Sequence, residues 1–169
     1  AIELRLAQAL ERAGDGGGAI ALLTRAAPRL PGDAKGQAYR LLADLHERRG
    51  AITLAAAALE AYADAADAAA VTATARADAL YRAGELFRRR PGHAADAVRC
   101  LDAALRLVDD HLPALDALEL IERDLGDLDR VATIIGRKIA ASARQPSRQK
   151  ALLCRLAAIH IQLERPDVA

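Results

Sequence analysis

Two-helix repeats are written along this chain. A leucine and a small residue are followed by a glycine seven or eight positions on, then by an alanine and a large apolar residue. Leu6-Ala7, Gly14, Ala19 and Leu23 make the first copy, and Leu42-Ala43, Gly50, Ala55 and Leu59 the second. The third is Ala83-Gly84, Gly92, Ala97 and Leu101, with one extra residue before the glycine. A fourth, altered copy reads Leu118-Glu119, Gly126, Val131 and Ile135, and an incomplete fifth starts at Leu156-Ala157. Equivalent positions lie 34 to 42 residues apart, room for one helix pair. Such a unit cannot bury its apolar face alone, so units must stack on one another and share a core. The expectation is an all-α solenoid of antiparallel helix pairs, one domain over 1–169, with units at 1–33, 34–70, 71–112, 113–146 and 147–169.

Punctuation along the chain agrees with this period. Leu4, Leu6, Ala7 and Leu10 recur at helical spacing, and the run Gly14-Asp15-Gly16-Gly17-Gly18 predicts a stop before a partner helix over 19–30. Pro31-Gly32-Asp33, Gly50, Pro91-Gly92 and Gly126-Asp127 mark further breaks. Pro113 suits the first turn of a helix, where a missing N–H is harmless, and Ser147 is placed to cap the last one. From Ala51 to Ala83 there is neither Gly nor Pro. Periodicity alone allows one long helix there, but the repeat register requires a reversal within 67–74, where Asp and Thr can cap.

Composition narrows the class. The chain is 53% hydrophobic with only 2% aromatics, so its core is built of Ala, Leu, Ile and Val. Small side chains let helix axes approach closely. A net charge of +1 supplies no global field toward nucleic acid or anionic lipid, so neither is an expected partner. No apolar run is long enough to span a bilayer. Cys100 and Cys154 stand alone in separate units and read as buried or half-buried thiols rather than a disulfide or metal pair. The excess of Arg over Lys, with the alanine content, points to a bacterial source. Nothing fixes localisation; a cytoplasmic one is favoured, with the true N-terminus expected upstream and the chain read as part of a longer protein.

These residues resemble the tetratricopeptide repeat family over about four and a half units. Unit one matches through Leu6, Ala7, Leu10, Gly14, Ala19, Leu23, Ala26 and Pro31. Unit two carries Tyr39, Leu42, Ala43, His46, Gly50, Ala55 and Leu59, and unit three Leu80, Gly84, Phe87, Ala97, Leu101 and Ala104. Unit four departs, with Glu119 where a small residue belongs and Val131 where alanine belongs, which implies either wider helix spacing or a different kind of helical repeat. The resemblance implies a right-handed superhelix whose first helices line a peptide-binding groove. Carried over by register, the groove side presents Arg40, Asp44 and Arg48 from unit two. Unit three adds Asp78, Tyr81, Glu85, Arg88 and Arg89, and unit four Asp116. The arginines suit acidic side chains or a terminal carboxylate. Chaperone-binding members use Lys and Asn at these places; this chain has no Asn, and Asp44 and Glu85 stand where the amide would be. Chaperone tails are therefore not the expected ligand. Arg and Asp pairing with each other across the groove fits the same residues equally well.

No catalytic, metal or cofactor constellation is visible. His46 and His160 read as histidines at the core edge, without a second ligand at helical spacing. His93 lies in a turn, and His111 near a helix end, where partial positive charge suits the dipole. Gly14 to Gly18 lacks the strand and the Lys-Ser/Thr of a phosphate loop. Ser142 and Ser147 have no neighbouring base. Charge is segregated instead: residues 109–129 hold eight acids and one base, and residues 130–150 hold six bases and no acid. Antiparallel packing lets these stretches face each other, read here as solvated, weakly paired helix faces.

The expected function is a non-catalytic scaffold binding a protein or peptide, with acidic partners favoured by the arginines. The alternative is a structural or regulatory arm packed on another domain of the same polypeptide. The last helix, over 147–163, carries Leu152, Leu153, Leu156, Ile159, Ile161 and Leu163. Part of that set packs on the preceding helix; the remainder, centred on Leu153, Leu156 and His160, is expected to drive self-association or to meet a further helix.

Overall fold

The computed structural model describes residues 2–65 and 71–164. Among these residues there are nine α-helices and no strand. They fall into two compact bodies, Ala1–Leu107 and Val108–Ala169.

The first body contains α1 (Ile2–Arg12), α2 (Gly16–Ala26), a 3₁₀ turn at Ala27–Arg29, α3 (Gly32–Arg48), α4 (Ile52–Ala65), α5 (Ala73–Arg88) and α6 (Ala94–Leu107). Each helix packs on the next, and α1 also touches α3, as stacked pairs require. The small residues of the repeat sit where the helices cross: Ala7, Ala19, Ala43, Ala55 and Ala97 are completely buried. Gly84 is the extreme case. A Cβ there would lie 2.9 Å from Leu101 Cγ and 3.3 Å from the Ala97 carbonyl oxygen. The backbone of α5 thus rests directly on α6, an approach that an added side chain could make only by displacing Leu101.

Helix boundaries differ from expectation at one glycine run. Only Gly14 takes left-handed backbone, at φ 83, while Gly16, Gly17 and Gly18 already belong to α2. Asp15 is the reason: its carboxylate accepts the Gly18 N–H at 2.8 Å and caps the helix three residues earlier than apolar spacing predicts. The stretch without Gly or Pro does reverse. α4 ends at Ala65, and α5 begins at Ala73 and packs against α4. Thr72 caps α5 by accepting the Ala75 N–H, and Arg76 Nε donates to the Ala63 carbonyl at 2.6 Å, tying off α4. The candidate cap Asp67 lies outside the described residues.

The second body contains α7 (Leu112–Leu125), α8 (Leu128–Ala141) and α9 (Pro146–Glu164), with α7 on α8 and α8 on α9. Pro113 stands in the first turn of α7, and Gly126, at φ 79, closes its C-terminus in left-handed backbone. Several expectations are corrected here. His111 caps an N-terminus instead of favouring a C-terminal dipole: its Nδ1 accepts the Ala114 N–H at 3.2 Å. Ser147 lies inside α9, which Pro146 opens. Leu156 belongs to the packed side of α9, with Ile139 and Ile159 around a core of Val131, Ile135 and Leu152. His160 is exposed rather than at the core edge, and Cys154 is exposed while Cys100 is buried.

Candidate functional site

Tyr62 organises the surface between α3, α4 and α5. It comes from α4, is 6% exposed, and lies against α3 at Gly36, where an added Cβ would stand 3.3 Å from the ring. One turn along α3, Arg40 places its guanidinium over the same ring, 5.8 Å from the centroid. A cation above an aromatic face is attracted by the ring quadrupole, and the planar guanidinium keeps its outward N–H donors available. Arg40, Leu59, Tyr62, Ala75, Asp78, Ala79 and Arg82 enclose a cleft of about 200 Å³. Its lining combines apolar side chains with three charged ones, Arg40, Asp78 and Arg82.

A second cleft lies beside it, lined by Asp44, Glu47, Arg48 and Arg82. Arg82 reaches from α5 back to α3, where Asp44 accepts at 2.8 Å and Glu47 also accepts. Burial works against the Arg82 charge, but hydrogen bonds to Glu47 and Asp44 outweigh it and raise its pKa. Arg48 pairs with Glu11 of α1 at 2.8 Å. Acid on one first helix and arginine on the next therefore bridge successive pairs.

The expected groove residues separate in this light. Arg40 and Asp78 share the cleft beneath which Tyr62 lies; Asp44 and Arg48 share the second. Arg88 is held by its own helix, its Nε and Nη2 donating to Glu85 at 2.6 and 2.8 Å. That pairing holds the Glu85 carboxyl below its usual range. Arg89 is exposed at the C-cap of α5, and Tyr81 is half-buried and lines neither cleft. Asp116 stands in the second body, paired with Lys138 and, at 3.9 Å, with Arg148. The residue missed from sequence is Arg82. Asp78, Arg82, Glu85 and Arg89 recur at four-, three- and four-residue spacing, a stripe that was available to be read.

The second body holds charge of another kind. Glu119, 4% exposed, receives Lys138 Nζ from α8 at 2.7 Å, together with Arg123 from its own helix and Arg155 from α9. Glu122, 3% exposed, pairs with Arg130 at 2.8 Å. The segregated acids and bases of this region thus meet as expected, but Glu119, Glu122 and Lys138 are buried rather than solvated.

Among the described residues no group of three or more His, Cys, Asp or Glu is arranged to hold a metal ion. No described helix is long and apolar enough to cross a membrane. Burial raises the Cys100 thiol to about 12, reinforced by Glu60, which leaves it a poor nucleophile.

No family model and no curated protein matches the chain. Among solved structures it is similar to the crystal structure of YrrB, described as a TPR protein with an unusual peptide-binding site. The two are 14% identical with a TM-score of 0.52, over 98% of this chain and 86% of that one. The fold is accordingly a tetratricopeptide-like array of helix pairs.

Proposed function

We propose that this protein is a non-catalytic scaffold that binds a protein or peptide, with the cleft bounded by Arg40, Asp78 and Arg82 as its binding site for an acidic side chain or terminal carboxylate. The observation that carries the reading is Arg40. Its guanidinium lies over a buried aromatic ring on the lining of the cleft, which favours this position before a ligand arrives. Arg48, Arg82 and Arg88 are already engaged with Glu11, Asp44, Glu47 and Glu85. They shape the surface, while Arg40 receives the ligand, with Arg89 as an outlying second cation. The similarity to YrrB, described as a TPR protein with an unusual peptide-binding site, supports the class of partner.

The test is a titration of a fluorescent Asp/Glu-rich peptide. Arg40→Glu should weaken binding at least roughly tenfold, as expected when one charge-assisted contact becomes repulsive. Arg88→Glu, which acts on a self-paired residue, should do much less. Affinity should fall with added salt. Salt-independent binding, or binding indifferent to Arg40, would remove this site.

A further inference from the structure

α9 has three sides, and two of them are occupied. Leu152, Leu156 and Ile159 pack on α8, and Gln149 Nε2 donates to the Ile139 carbonyl at 3.2 Å. Arg148 and Arg155 reach the acids of α7. The third side carries Lys150, Leu153, Ala157, Ile161 and Glu164, all exposed, with Leu153 at 53% and Ile161 at 59%. At 100° per residue these five fall within one narrow stripe running about four helical turns.

The order of the stripe is the informative part. Measured from Ala157, its members stand at −7, −4, 0, +4 and +7. Reversed about Ala157, lysine falls opposite glutamate, leucine opposite isoleucine, and alanine opposite itself. A twofold contact requires this self-complementarity, because the same patch must serve on both partners. Alanine at the centre lets two helix axes approach, the use this chain already makes of Ala43, Ala55 and Ala97. We propose that α9 pairs antiparallel with α9 of a second copy of this chain, about a twofold axis at Ala157. Lys150 then meets the partner's Glu164, and Leu153 the partner's Ile161, at both ends of the contact. Parallel pairing would set lysine on lysine and glutamate on glutamate. One helix pair is a small interface, so the dimer is weak, with a dissociation constant on the order of 100 µM.

Sedimentation equilibrium of the full 169-residue chain across roughly 10 µM to 1 mM tests this directly. A monomer–dimer equilibrium is expected, abolished by Leu153→Glu with Ile161→Glu. Charge reversal gives the orientation. Lys150→Glu alone and Glu164→Lys alone should each weaken dimerisation roughly tenfold, since each sets like charges together at two places. The double variant should restore it, and a mixture of the two single variants should form heterodimers. These positions are exposed, so circular dichroism should report an unchanged fold. A monomer at the highest concentration overturns the proposal. So does a dimer that survives the two glutamates, or one in which the swapped charges fail to restore pairing. A failed peptide titration at Arg40 leaves this result untouched.

Discussion

The α5–α6 crossing and the α7–α8 crossing occupy equivalent places in the repeat and are built on opposite principles. At the first, Gly84 brings backbone onto Leu101 and Ala97, and the contact is apolar throughout. At the second, the equivalent position is Glu119, and Val131 stands where Ala97 stands in the other pair. Lys138 enters from α8 to neutralise the carboxylate. Close packing gains dispersion and needs no partner of particular charge. A buried ion pair must first offset the desolvation of both ions, so it stabilises only when every partner is present. The apolar crossing is therefore intolerant of added volume, and the charged crossing of losing one partner without the other.

The largest effect should come from breaking the charged crossing on one side. Glu119→Leu leaves Lys138 buried with Asp116 alone and should cost about 3–5 kcal/mol in urea denaturation followed by helicity. Overpacking the apolar crossings comes next: Ala55→Leu or Ala97→Leu should cost about 1–3 kcal/mol. At Gly84, alanine clashes with Leu101 but gains helix propensity, so the net loss should be smaller, about 1 kcal/mol. An unchanged melting temperature for Ala55→Leu would contradict the packing register.

Acid should act on the first body through His46, whose pKa is lowered by burial and then by Arg49. The unfolded chain takes up this proton near the ordinary value of 6.5 and the folded chain resists it. Stability is therefore complete above 6.5 and declines as pH falls below it. Glu85, lowered by Arg88, adds a further decline below 4.5. Thermal melts from pH 8 to 4 should show this slope, and His46→Gln should flatten its upper part. The smallest effect belongs to exposed pairs. Arg99 meets Glu60 at 2.5 Å but is 54% exposed, so Arg99→Ala should change stability by at most about 1 kcal/mol.

The helix-pair pattern was legible because small residues at crossings and glycines at breaks are local requirements. Gly50, at φ 71, must end α3 whatever lies around it. Ala43 and Ala55 announce a close crossing by their size alone. The site was half legible. Arg40 and Asp78 were expected on the groove side and do share a cleft, but Tyr62, whose ring lies beneath the Arg40 guanidinium, comes from the second helix of the unit and carried no groove signal. Arg82 escaped because its counterpart in unit two is Leu41, which carries no groove signal. Burial of Glu119 was not legible, since a glutamate among seven other acids reads as solvated until Lys138, nineteen residues on, is seen to meet it. His111 was misjudged for a similar reason: a histidine near a helix end suits either terminus, and only the chain's path decides which.

The double-mutant cycle of Glu119→Leu and Lys138→Met tests most directly whether charge replaces close packing at the second crossing. Both substitutions put an apolar side chain of similar length in place of a buried ion. The account predicts that each single variant is destabilised, Glu119→Leu more than Lys138→Met, because Arg123 and Arg155 still serve the carboxylate when the lysine is gone. The double variant should recover most of the loss, with a coupling energy of about 1–3 kcal/mol. Strictly additive losses would show that the two side chains do not depend on each other, and would contradict a crossing held by their pairing.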